Sequence, residues 1–77
     1  MQCLVHTSYL LKNLIDQAWS SYYDGNLQKA LVYINKLLKY CPNDAVALYV
    51  KGKILGQKKL LSEALKYFLK SLYSLLR

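Results

Sequence analysis

Leu27-Gln28-Lys29-Ala30-Leu31-Val32-Tyr33-Ile34 is echoed, 34 residues later, by Leu61-Ser62-Glu63-Ala64-Leu65-Lys66-Tyr67-Phe68. Apolar residues at the first, fourth, fifth and eighth places of each run share one face of a helix, whereas a strand would need alternation. The same offset relates Leu14 to Leu48, Ala18 to Gly52, Lys36 to Lys70 and Leu38 to Leu72. From residue 11 onward it gives seven identical pairs. A chain rich in leucine, lysine and tyrosine yields several by chance, so placement carries more weight than number. Ala18 and Gly52 recur where a first helix must admit its neighbour, and Ala30 and Ala64 where a second helix packs on the first. Bulk at either place would push the helices beyond the roughly 8–10 Å of close packing. A fixed period of this size marks stacked units that each bury a face against the next.

The reading outward from these runs gives four helices. The first is expected over Ser8 to Tyr23, with Thr7 as cap and Leu11, Leu14, Ile15, Ala18 and Tyr22 as its apolar stripe. Asp24-Gly25-Asn26 ends it, because glycine accepts a left-handed backbone and asparagine can cap the next helix. The second runs from Leu27 to Tyr40, with Leu27, Ala30, Leu31, Ile34, Leu37 and Leu38 inward, and Pro42 stops it. Lys36 and Lys39 complement its carbonyl end. The third is expected from Asp44 to Leu55 or Gln57, capped by Asn43 or Asp44. Gly52 inside it costs roughly 1 kcal/mol relative to alanine, which close helix packing would explain. The fourth runs from Leu61 to Leu76, with Leu61, Ala64, Leu65, Phe68, Leu72 and Leu75 as its inner face. The expected fold is all-α: four helices as two stacked antiparallel helical hairpins. It forms a single domain, residues 1–77, with one repeat at 11–44 and a second at 45–77.

This pattern resembles the tetratricopeptide repeat (TPR) family. That family places a large apolar residue and then a small one four later, here Leu14 and Ala18, then Leu48 and Gly52. A glycine turn follows, as in Tyr23-Asp24-Gly25-Asn26-Leu27; then come Ala30 with Ile34, and Ala64 with Phe68. Proline closes the unit, as in Tyr40-Cys41-Pro42-Asn43-Asp44. The likeness covers residues 11–77. Departures are Gln17 and Lys51 for a leucine, Ser21 and Leu55 for an aromatic, Lys58-Lys59 for the glycine turn and Leu76 for the second proline.

Composition bounds the rest. At 77 residues there is room for one core, near the size at which a core sustains itself. Apolar residues make up 55% of the chain, more than four helices can hide, so some apolar area is expected to serve a partner. The net charge is +7. It reads either as solubility or as attraction to an acidic partner. Cys3 and Cys41 lack metal-site spacing and His6 stands alone, so no metal site is expected. Both cysteines are read as free thiols in a reducing, cytoplasmic setting. No targeting segment is visible, and lysines interrupt every apolar stretch, which argues against a membrane span. No nucleophile–base pair, carboxylate pair or glycine-rich phosphate loop is present, so neither an enzyme nor a cofactor is expected.

The resemblance implies a protein-interaction module, an adaptor or scaffold, whose first helices line a concave groove. Carried over residue by residue, the groove holds Ile15, Trp19, Tyr22 and Tyr23 from the first repeat, and Tyr49, Lys53 and Val46 from the second. The implied partner is a protein or peptide segment, more acidic than basic. The family's clamp for a chaperone's terminal carboxylate would need polar or basic residues where Ile15, Trp19 and Val50 stand. The rival reading is an anion surface on the second helices, with Lys29, Lys36, Lys39, Lys66 and Lys70 interleaved by Tyr33, Tyr67 and Tyr73. Their wide spread and the lack of an RNA-binding motif weigh against nucleic acid. Two repeats are fewer than the three usually needed for stability. With no polar helix after the fourth, the chain is expected to be a homodimer through that helix, a subunit of a larger assembly or a part of a longer array.

Overall fold

The computed structural model describes residues 9–76. Over that span the chain forms four helices and no strand: α1 (Tyr9–Tyr23), α2 (Leu27–Tyr40), α3 (Ala45–Gln57) and α4 (Leu61–Leu75). The expected cap Thr7, together with Cys3, His6 and Ser8, lies outside the described residues, as does the side chain of Leu11. α1 packs on α2, α3 on α4, and α2 on α3, with a smaller contact between α1 and α3. That is two antiparallel hairpins stacked in sequence. The core joins Ile15 and Ala18 of α1 to Ala30, Ile34 and Leu37 of α2 and Ala47, Val50 and Ile54 of α3.

The two inter-helix turns are built alike. The Gly25 N–H donates to the Tyr22 carbonyl at 3.1 Å, and the Asn26 N–H to Ser21 at 2.9 Å. Shifted by 34 residues, the Lys59 N–H donates to Gly56 at 3.1 Å, and the Leu60 N–H to Leu55 at 2.9 Å. These paired bonds form the Schellman ending of a helix, which places its penultimate residue in the left-handed region. Gly25 has φ 83° and Lys59 has φ 67°. The missing glycine of the second turn therefore changes its cost and leaves its path unchanged.

Capping follows the expected chemistry in two of three places. Asn26 Oδ1 accepts from the Lys29 N–H at 3.1 Å, and Asp44 Oδ1 from the Ala47 N–H at 2.9 Å. Asp44 is thus the cap of α3 and not its first residue. The N-cap of α4 is Leu60, whose side chain makes no capping bond.

α3 is buried along Ala47, Leu48, Val50, Gly52, Ile54 and Leu55 because it has a helix on both sides. α4 is different. Among the helices it packs on α3 alone. Of its expected inner face only Ala64 is buried and Phe68 half-buried; Leu61, Leu65, Leu72 and Leu75 are 54–71% exposed. The expectation for those four leucines is corrected: their stripe is wider than one neighbouring helix can cover. Ser71, buried beside them, donates to the Ala45 carbonyl at 2.7 Å and so ties α4 to the start of α3.

Cys41 ends α2 with 1% exposure and is disulfide-bonded, which corrects the expectation of a free thiol there. No described helix is long and apolar enough to cross a membrane.

Candidate functional site

Three aromatic residues leave the last turns of α1 on one surface. Residues 19, 22 and 23 lie three, four and one apart, so a helix brings their side chains together. The Trp19 ring stacks near-parallel on Tyr23, with centroids 5.7 Å apart, and meets Tyr22 edge-on at 5.7 Å. Tyr22 and Tyr23 meet edge-on at 5.3 Å. Such offset and edge contacts favour ring clusters that hold their shape.

α3 continues this surface into the second repeat. The Lys53 ammonium lies 5.9 Å from the ring centroids of both Tyr22 and Tyr49, within cation–π range. Gln57 Nε2 donates to the Tyr22 hydroxyl at 3.2 Å. Tyr49 in turn meets the Phe68 ring of α4 at 5.7 Å. The result is a wall from Tyr23 through Trp19, Tyr22, Lys53 and Tyr49 to Phe68, crossing both hairpins. Tyr23 is 76% and Tyr49 45% exposed, while Trp19, Tyr22, Lys53 and Phe68 are half-buried.

Of the expected groove residues, Trp19, Tyr22, Tyr23, Tyr49 and Lys53 come together on this wall. Ile15 does not: it is 8% exposed and belongs to the core. Val46 is half-buried and packs against the core, as Trp19 and Tyr22 also do. Phe68 and Gln57 join the wall without having been expected there. The signal for Phe68 is its pairing with Gly52: a ring can lie flat over α3 only where α3 lacks a side chain. A Cβ at Gly52 would stand 2.6 Å from Phe68 Cε1.

The five lysines of the rival surface are all exposed. They do not form one cluster. Lys29 sits 6.0 Å from the Tyr33 ring, and Lys70 sits 5.2 Å from Tyr67. Tyr67 also receives Lys51, at 4.6 Å, whose ammonium donates to Asn35 Oδ1 at 2.8 Å. Lys70 further borders a depression of about 180 Å³ with Pro42, Asn43, Tyr73 and Ser74. Lys51, absent from the expected set, is the lysine best placed beside Lys70.

Comparison with known proteins adds one relative. The chain is 38% identical over 52 residues to a TPR repeat-containing protein of Methanocaldococcus jannaschii, a match covering 68% of this chain. It spans only 15% of that protein's length. No family model and no solved structure matches the chain. Period, paired hairpins, twin turns and this likeness agree: the chain is a TPR-like helical-repeat protein.

Proposed function

We propose that the chain is a protein-interaction module, without catalytic chemistry, that binds a partner segment along the wall formed by Trp19, Tyr22, Tyr23, Tyr49 and Lys53. One observation carries this reading. The Lys53 ammonium lies 5.9 Å from two tyrosine ring centroids and, among the described residues, makes no ion pair with a carboxylate. A cation on an aromatic surface, lacking an acidic neighbour, suits a carboxylate brought by a ligand. The rings supply rigid area at small entropic cost, and tryptophan and tyrosine are enriched among binding hot spots. The partner is therefore an extended or helical protein segment with apolar side chains and at least one acid. The relative's name supports the class of function and says nothing of its partner.

The test is capture of partners from a lysate with nuclease present, followed by titration of the purified partner. Trp19→Ala and Lys53→Glu should each weaken binding by about 2 kcal/mol, roughly thirtyfold in Kd, with helix content unchanged. Unchanged affinity in both variants would end the wall reading. Capture that vanishes with nuclease and survives Trp19→Ala would move the function to the outer lysines, where Lys51 and Lys70 flank Tyr67.

A further inference from the structure

We infer that α4 is a self-association surface and that two copies of the chain join as a closed two-fold dimer through Leu61, Leu65, Leu69, Leu72 and Leu76. These five leucines are 68%, 59%, 47%, 54% and 74% exposed. Their steps of four, four, three and four place them in one stripe along the helix, about 22 Å long at 1.5 Å per residue. The repeat shows what such a stripe is built to meet. The 34-residue equivalents of Leu61, Leu65 and Leu72 are Leu27, Leu31 and Leu38 of α2. There they are half-buried against the core to which α3 contributes. The α4 stripe repeats that seat, and among the described helices only α3 packs on α4.

Two features of the chain select a second copy, in one arrangement. The first is internal complementarity. Laid antiparallel on itself, the stripe brings Leu61 opposite Leu76 and Leu65 opposite Leu72, with Leu69 beside the axis. A two-fold interface must be self-complementary in this way. The second is a mismatch that disfavours head-to-tail stacking, in which α1 of one copy would sit on α4 of the next. α3 seats on α2 with Ala47, Val50 and Ile54, all fully buried. Their equivalents on α1 are Asn13, Asp16 and Ser20, all exposed. Those polar groups would be desolvated against leucine with no partner. Among the described residues, α1 thus presents polar groups where α4 presents leucines.

Area sets the strength. Five leucines exposed to this degree leave on the order of 500 Å² of apolar surface per copy, within the range of the largest patches on monomers, which are often functional. Two copies would bury about 1,000 Å², the lower bound of a specific interface. The net charge of +7 on each copy opposes the contact. Association is therefore weak and strengthened by salt, which screens the repulsion.

Sedimentation equilibrium of the chain from micromolar to millimolar concentration, at low and high salt, tests this. The mass should rise from 8.9 kDa and level off at twice that value, at lower protein concentration in high salt. Leu65→Glu and Leu72→Glu should each stay at the single-chain mass with unchanged helix signal. Lys66→Glu, off the stripe, and Trp19→Ala, on the aromatic wall, should still form dimers. A single-chain mass up to the solubility limit would overturn the inference and leave the stripe to another partner. A mass climbing past two copies would overturn the closed arrangement. Dimers of both leucine variants would overturn the surface.

Discussion

Gly52→Ala sets two sizeable effects against each other, and the structure decides between them. Alanine in a helix interior is worth about 1 kcal/mol over glycine. Against that, the new methyl would lie 2.6 and 2.7 Å from two carbons of the Phe68 ring. Overpacking of this kind costs about 1–3 kcal/mol. The ring can escape only by giving up its contact with Tyr49, 5.7 Å away, or by lifting α4 from α3. A net loss of about 1 kcal/mol is expected, which lowers the Tm by about 4–8 °C in a domain of this size. The first repeat supplies the remedy, since it places Ala18 and Ile34 where the second places Gly52 and Phe68. Phe68→Ile should therefore convert the alanine from a burden into a gain, with a coupling of about 1 kcal/mol or more between the two sites. Urea unfolding of the parent, both single variants and the double variant, followed by circular dichroism at one low protein concentration, measures that coupling. If Gly52→Ala raises stability in the parent background and the two changes simply add, the close approach of α4 to α3 is not what glycine is there for.

Two further outcomes concern the second turn. Lys59→Gly should stabilise the chain by about 0.5–1 kcal/mol: a left-handed residue costs roughly 1–2 kcal/mol, partly offset by the greater freedom of glycine when unfolded. A lower Tm for this variant would mean that the lysine at φ 67° carries no strain. Leu60→Asn copies the cap of α2, since Leu60 (φ −91°, ψ 69°) and Asn26 (φ −91°, ψ 78°) share a backbone conformation. It should add about 1 kcal/mol by accepting from the Glu63 N–H, and an unchanged urea midpoint would show that the lost leucine contact outweighs the cap.

The hairpin register is legible in the sequence because it depends on residues that have few substitutes. Ala30 and Ala64 permit close approach, Asp44 caps, and Gly25 turns, each by a local mechanism that the residue type announces. The second turn is harder to read. Lys58-Lys59 carries no turn signal, and only the offset from Asp24-Gly25 reveals it. Burial is harder still, because neighbours decide it. α2 and α4 carry the same leucines at 27, 31 and 38 and at 61, 65 and 72, and only α2 has a helix on each side to cover them. The same holds at the candidate site. Ile15 and Tyr49 are equivalent under the repeat, but the short branched side chain turns into the core while the longer ring remains 45% exposed. Phe68 reads as core by its spacing, and the gap over Gly52 lays it instead against the wall.

The repeat also separates what stacking requires from what it does not. Positions that serve the hairpin recur: Leu27 with Leu61, Ala30 with Ala64, Leu31 with Leu65. Positions on the wall do not. Ile15 is matched by Tyr49, Trp19 by Lys53, Tyr22 by Gly56 and Tyr23 by Gln57. Nothing in hairpin packing asks for a tyrosine that is 76% exposed, or for a lysine held between two rings in place of a salt bridge. Residues that serve stacking are bound by its symmetry, since each hairpin meets the same demand. A bound segment has no such symmetry, because its two ends differ. The wall is accordingly uneven along its length: Trp19, Tyr22 and Tyr23 cluster over α1 with Gln57 against Tyr22, Lys53 stands at the centre, and Tyr49 and Phe68 follow over the second hairpin. A partner lying from the first hairpin to the second would meet these in one order only, and so be read in one direction.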